Sequence, residues 1–319
     1  MSQGSKFAIY AAAGGNLAIA ASKVAAFGFT GSSAMLTEGI HSLVDTGNQG
    51  LLLLGIRRAA LPPNARHPFG YGMELYFWSF VVALMIFAHG GAFAVYEGVL
   101  KVQRPEPIER AWINFLVLGV AIAIEAMSFA IASRENRRRN PRARFVASVR
   151  ASKDPSLFAV MLEDAAALAG LLIAFAGVGV AVLFDVPEAD GVASILIGLL
   201  LTGVAAFMAN ETRSLLTGES AAPEVLAEIR HILQSDPRVA AVVEVLSLHL
   251  GPSDILVGVT LHFQEDLVGG EVSRAATELS AKIRAAQPSV GRLFMRSAQD
   301  AEGFVPLAPP SAGGRGPAM

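Results

Sequence analysis

Cysteine is absent from the 319 residues. That excludes a disulfide framework, a thiolate metal site and a thiol nucleophile, so any metal must be held by His, Asp or Glu. Charge is scarce as well: 16% of residues are Asp, Glu, Lys or Arg, against about 25% in an ordinary soluble domain. With 53% hydrophobic residues, 31 glycines and a mean hydropathy of +0.50, the chain is not of the disordered, coiled-coil or nucleic-acid-binding kind, each of which needs abundant charge. Nor does one sign dominate. The 25 basic and 27 acidic residues leave a net charge of −2, which does not suit the whole chain to a polyanionic partner. What the sequence does have is long apolar runs, and lipid is the solvent that fits them.

Crossing about 30 Å of hydrocarbon takes roughly 20 apolar residues. Six such stretches are expected near 7–27, 34–56, 76–100, 111–133, 157–183 and 191–209. The first has no small-residue cleavage site before Gly31 and no Arg-rich segment ahead of it, so it reads as a retained span rather than a signal or transit peptide. Basic residues concentrate on one set of connections: Lys6, then Arg57, Arg58 and Arg66, then the Arg-rich stretch 134–153. The alternate set has Lys101, Arg104 and Arg110 but turns acidic through Asp185, Glu188 and Asp190. By the positive-inside rule both termini are expected to be cytoplasmic, and the 134–153 arginines read as a topology signal on lipid headgroups. Ala-, Arg- and Gly-rich usage points to a bacterial inner membrane.

The texture changes near 221, where charges return and apolar runs shorten. Pro223 and Glu224 open a segment with Val225, Leu226, Ile229, Ile232 and Leu233 at helical spacing. Strands are expected over 239–249 and 254–263 around Gly251-Pro252-Ser253, then a helix near 271–286 and a strand near 290–296. The fold class is therefore a polytopic α-helical membrane protein of six spans with a C-terminal ferredoxin-like αββαβ domain. The transmembrane domain is placed at 1–210, a linker at 211–220 and the α+β domain at 221–300. A Pro-, Gly-, Ala- and Ser-rich tail at 301–319 is expected to be disordered.

The charges left inside the spans carry the chemistry. Glu38, His41, Asp45, Asn48 and Gln49 fall at roughly 0, −60, −20, −80 and +20° around the second span, on one helix face. The fifth span holds Glu163 and Asp164, the fourth Glu125 with Ser128 three residues on, the first Asn16 and Lys23, and the third His89. Five acidic residues exposed to lipid would cost about 12–18 kcal/mol on the insertion scale, more than a fold stable by about 5–15 kcal/mol can absorb. They must face each other, water or a cation. Interhelical hydrogen bonding alone does not call for several carboxylates, and it is the reading kept for Asn16 and Ser128. His41 and Asp45, one turn apart, can converge on one ion, and imidazole with carboxylate suits Zn²⁺, Fe²⁺, Co²⁺ or Mn²⁺ better than Mg²⁺ or Ca²⁺. Further ligands must come from another helix. Glu163 and Asp164 point about 100° apart, so one is expected to ligate and the other to support it. Glu38, Asn48, Glu125 and His89 are candidates for proton relay or support of the ligands.

The stretch TGSSAMLTEGIHSLVDTGNQGLLLLG at 30–55 resembles the cation diffusion facilitator family of divalent-metal/proton antiporters. HPFGYGMELY at 67–76, DGVASILIGLLL from Asp190 and LLTGES at 215–220 support the match, which covers about residues 6–297. The resemblance implies a transport site between the second and fifth spans, with His41 and Asp45 from the one and Asp164 from the other. It leaves Val160 where the family's fifth-span His is expected. MLEDAAALAG at 161–170 is similar to the branch containing the mitochondrial zinc transporter of animals. It implies a metal set of His41, Asp45, Asp164 and Glu163, a homodimer, and a C-terminal domain that often binds further metal. Arg296 and Ser297 stand where the resemblance places a metal-binding His-x-Asp, and His231, His249 and His262 read as surface or interface residues.

The function expected is secondary active transport of a divalent cation, Zn²⁺ first, in exchange for protons by alternating access. Mn²⁺, Fe²⁺ or Co²⁺ carried by the same site, or a passive cation channel, are the alternatives. An intramembrane metallohydrolase would need a general base and a signal such as His-Glu-x-x-His, which the chain lacks. No enzyme activity, cofactor or nucleic-acid partner is expected. The partners are the cation, protons, lipid and a second copy.

Overall fold

A computed structural model describes residues 10, 13–22, 24–25, 33–105, 111–139 and 153–298. The predicted tail, Lys23 and the arginines between 140 and 152 lie outside the described residues. The chain divides into two compact units, 1–217 and 218–319.

The first unit is helical: α1 (13–22), α2 (Ser33–Ala59), α3 (Glu74–Gln103), α4 (Ala111–Arg139), α5 (Pro155–Leu183) and α6 (Glu188–Leu216). Four of these contain segments long and apolar enough to cross a bilayer: Glu74–Gln103, Asn114–Ile131, Phe158–Leu183 and Glu188–Leu216. The chain is an integral membrane protein. Of the six expected spans, α2 has the length, 27 residues, but its polar stripe dilutes its hydropathy. The ends also differ from expectation. α4 runs to Arg139 and α6 to Leu216, through most of the predicted linker, because Leu215 is buried and Thr212 returns its hydroxyl to Met208 O at 2.7 Å. α6 stops where Gly218 takes φ +106°, a left-handed conformation that glycine adopts without strain. Pro155 begins α5 at a position where its missing N–H has no helical partner to lose.

α3 contains a π-helical segment, Ile86–Ala92, which the apolar periodicity did not signal. It carries Gly90 and Gly91 against α6, where a Cβ at Gly91 would lie 2.4 Å from Thr202 Oγ1. Farther along the pair, Gly98 and Gly191 approach so closely that a Cβ at Gly98 would sit 2.7 Å from Gly191 O. Lys101 and Asp190 close that end with a 3.0 Å ion pair. Small residues permit this approach, and dispersion contacts then hold helices together where lipid supplies no hydrophobic drive.

In the second unit, α7 (Pro223–Gln234), β1 (Val239–Gly251), β2 (Asp254–Phe263), α8 (Gly269–Ala286) and β3 (Val290–Ser297) form an α+β fold with a three-stranded sheet in the order β1-β2-β3. β1 pairs antiparallel with β2, whereas β3 pairs with β2 in parallel. Ile255, Val257, Val259, Leu261 and Phe263 alternate onto the buried face of β2, packing with Ile229 and Leu233 of α7 and Leu279 and Ile283 of α8. Leu246 and Phe294 remain exposed. His249, read as a surface or interface residue, is buried in β1 among the inward-packed residues at the end of that strand.

Asp236 fastens the turn between α7 and β1. It is buried and accepts from Arg238 Nε and Nη2, each at 2.8 Å, from the Arg238 backbone N–H at 3.2 Å, and from Lys282 Nζ at 3.4 Å. Hydrogen bonds from the Arg238 side chain, then its backbone N–H and its charge, hold the carboxyl well below the usual carboxylate range despite burial. A depressed folded-state pKa gives stability that is fully present above the unfolded value of about 3.9 and is lost as pH falls through the folded value. Asp236→Asn should therefore weaken amide-exchange protection in β1 and α8 of the full chain at pH 7, by about 1–3 kcal/mol. The difference from the unsubstituted protein should narrow below about pH 4; a gap independent of pH would show that the carboxylate charge is not the cause.

Candidate metal site

The polar face of α2 follows from helical spacing, and its described members turn inward. Asn48 and Gln49 are 2% and 0% exposed, and Asp45 is half-buried. Across from them α5 contributes Glu163 and Asp164, and α4 contributes Glu125 and Ser128, all buried. Asp45 lies within electrostatic reach of both Glu163 and Asp164, and Glu125 within reach of Glu163. Three helices thus bring together four carboxylates from three stretches that are far apart in sequence. Like charges gathered in low dielectric repel, so an arrangement of this kind calls for protons or a cation among them.

Adjacent on α5, the two carboxylates turn to different helices, as the 100° divergence requires. Glu163 Oε1 accepts from Asn48 Nδ2 at 3.2 Å and Oε2 from Gln49 Nε2 at 2.6 Å. Asp164 Oδ2 accepts from Ser128 Oγ at 2.6 Å. Hydrogen bonds to a charged acceptor are worth about 1.5–3 kcal/mol each, comparable to the about 1–3 kcal/mol lost by leaving the amide oxygens, Asn48 Oδ1 and Gln49 Oε1, buried without a partner. Asn48 is therefore a donor to Glu163, a contact that its candidacy as a relay did not include. Ser128 makes the interhelical hydrogen bond expected of it, to Asp164, whereas the donation of Gln49 to Glu163 does not follow from its place on the helix face.

Other sequence candidates are distributed differently. Glu38 and His41 belong to α2, but their side chains lie outside the described residues. Among the described residues no group of three or more His, Asp or Glu is arranged to hold a metal. His89 is exposed in the π segment of α3, its Nδ1 3.4 Å from Met85 O of its own helix, and no described contact links it to the carboxylates. Val160 is fully buried in an apolar cluster with Leu52 and Ile56 of α2, Leu75 and Val82 of α3, and Met208 of α6. That cluster occupies the end of the bundle where α2 leaves and α3 and α5 enter. A ligand at position 160 would sit among apolar side chains, where an unpaired polar group is costly.

The wider comparisons agree with this architecture. Residues 9–217 match the family model of the cation efflux transmembrane domain. The chain is 35% identical over 259 residues, 80% of its length, to the human protein named proton-coupled zinc antiporter SLC30A9, mitochondrial, and 34% identical over 236 residues to the protein of the same name from Xenopus laevis. It is 28% identical over 239 residues, 74% of its length, to metal tolerance protein C4 of Arabidopsis thaliana. The matches cover 45%, 42% and 52% of those relatives, so the chain spans about half the length of the relatives it matches. Members of this family are transporters and not enzymes. With buried carboxylates on helices long and apolar enough to span a bilayer and a family match over residues 9–217, the chain belongs to the cation efflux, or cation diffusion facilitator, family.

Proposed function

We propose that this protein carries a divalent cation, Zn²⁺ first among candidates, across its membrane in exchange for protons by alternating access. The observation that supports this reading most is the cluster of Asp45, Glu163 and Asp164 between α2 and α5 with Glu125 beside it. His41, Asp45 and Asp164 are the ligands in this reading. Proton coupling comes from the donors themselves, since a metal displaces protons from imidazole and carboxylate and protons displace the metal. Protonation also lowers the barrier to returning the empty site, because neutral groups cross low dielectric more readily than charged ones. The names of the animal relatives favour zinc and proton exchange.

The same reading takes α1 to α6 as six spans with both termini cytoplasmic, in a bacterial inner membrane, and the αββαβ unit as a ferredoxin-like variant. The exposed Leu246 and Phe294 suit association of this unit with a second copy as a homodimer. The described donors of the site are all oxygen, which favours Mn²⁺, Fe²⁺ or Co²⁺ as second cargoes. Purified chain in proteoliposomes should take up Zn²⁺ against its gradient when an opposing pH gradient is imposed, with Mn²⁺, Fe²⁺, Co²⁺ and Ni²⁺ as competitors. Uptake that only follows the cation's own gradient would indicate a channel.

A further inference from the structure

The neighbouring carboxylates of α5 are held in unequal ways. Both oxygens of Glu163 are taken by N–H groups of α2, from Asn48 and from Gln49. Asp164 accepts at Oδ2 from Ser128, while its Oδ1 carries no hydrogen bond among the described residues. Asn48 and Gln49 are enclosed by protein, and each keeps its NH2 on Glu163 although its own carbonyl oxygen is left buried without a partner. A buried amide normally satisfies both ends. Here the donor end is satisfied at the expense of the acceptor, so the carboxylate is what orients both side chains.

We propose that Glu163 is a positioning residue and not a ligand of the transported cation: with Asn48 and Gln49 it forms an amide–carboxylate clasp that sets α2 against α5. Asn48 and Gln49 come three and four residues after Asp45, within one helical turn. Glu163 immediately precedes Asp164. A clasp between those two points fixes the register of the helices, and with it the placement of Asp45 relative to Asp164. A cation coming to either Glu163 oxygen would meet the positive end of an amide N–H already bonded there. At Asp164 Oδ1 it meets none from the described residues. The inference rests on the proposed transport site between α2 and α5 and assigns the division of labour within it.

Glutamine at 163 tests the division. Glu163→Gln keeps the shape and one acceptor, and Asn48 or Gln49 can flip to offer its carbonyl oxygen to the new NH2 group, so the clasp survives without its charge. Full-length variants in proteoliposomes, with Zn²⁺ as cargo and an imposed pH gradient, give KM and maximal rate; Zn²⁺ binding to the detergent-solubilised chain gives affinity independently of flux. Glu163→Gln and the reciprocal pair Gln49→Glu with Glu163→Gln should keep KM close to that of the unsubstituted protein. Glu163→Ala and Gln49→Leu should weaken Zn²⁺ by about 10–100-fold, the usual loss when a supporting partner of a metal site is removed. If Glu163→Gln weakens binding as much as Asp164→Asn does, Glu163 is a ligand and the proposal fails. If Gln49→Leu lowers the melting temperature but leaves KM unchanged, the clasp is only structural and the proposal fails in that way. Unchanged binding in Asp164→Asn would instead refute the proposed transport site itself, whatever position 163 does.

Discussion

Asp164→Ala should reduce pH-driven cation uptake to the level of protein-free vesicles, a loss of at least about 100-fold. Asp164 is buried at 2% exposure, lies within electrostatic reach of Asp45 of α2, and has one oxygen steadied by Ser128 while the other carries no hydrogen bond among the described residues. In the proposed site it is the ligand from α5, and Val160, one turn earlier, is packed in the apolar cluster and offers no donor in its place. Asp45→Ala should have the same effect from the α2 side. Ser128→Ala should be milder, about 10-fold, because it frees the carboxylate to rotate without removing it.

Loss of flux through misfolding would look different from loss of the site. Removing one member of a buried cluster of like charges relieves repulsion and desolvation, so the melting temperature of Asp164→Ala should be unchanged or raised while transport disappears. A stabilised, inactive variant is what a functional carboxylate predicts, and a destabilised one is what a structural carboxylate predicts. Undiminished uptake in either Asp45→Ala or Asp164→Ala would remove the α2–α5 pair from the mechanism.

How far the sequence revealed this site depended on the distance over which each signal acts. The face shared by Asp45, Asn48 and Gln49 was readable because helical periodicity is local, and the divergence of Glu163 from Asp164 follows from 100° per residue alone. The partners were not readable: Asn48 and Gln49 meet Glu163 across 115 and 114 residues, a pairing fixed by helix packing. Val160 illustrates the same limit. Its identity departs from the family pattern, but only its burial against Leu52, Ile56 and Met208 shows what the valine does. The π segment of α3 left no trace in an apolar run, since it alters hydrogen-bond register rather than hydrophobicity. In the C-terminal unit the order of elements was legible from period-2 alternation and turn residues, whereas the parallel pairing of β3 with β2 depends on the path of α8.

Two alanine substitutions on α6 should change stability in opposite directions. A Cβ at Gly198 would lie 2.8 Å from Gly91 O and 2.8 Å from Val95 N, both backbone atoms of α3. Neither can rotate away, so the helices must separate. At Gly203, five residues later on the same helix, a Cβ would meet nothing within 4 Å. Replacing glycine by alanine in a helix gains about 0.5–1 kcal/mol when the site is open, and overpacking costs about 1–3 kcal/mol when it is not. Gly203→Ala should therefore raise the melting temperature of the detergent-solubilised chain, and Gly198→Ala should lower it. Leucine should widen the contrast, with Gly198→Leu failing to give folded protein and Gly203→Leu tolerated in lipid. Gly98, whose Cβ would stand 2.7 Å from Gly191 O, should behave like Gly198, because the α3–α6 seam depends on backbone contact along its length. Equal tolerance at 198 and 203 would mean that the two helices are not held at this separation. Equal intolerance would place Gly203 against a further surface, and a second copy of the chain is then the first partner to test by crosslinking.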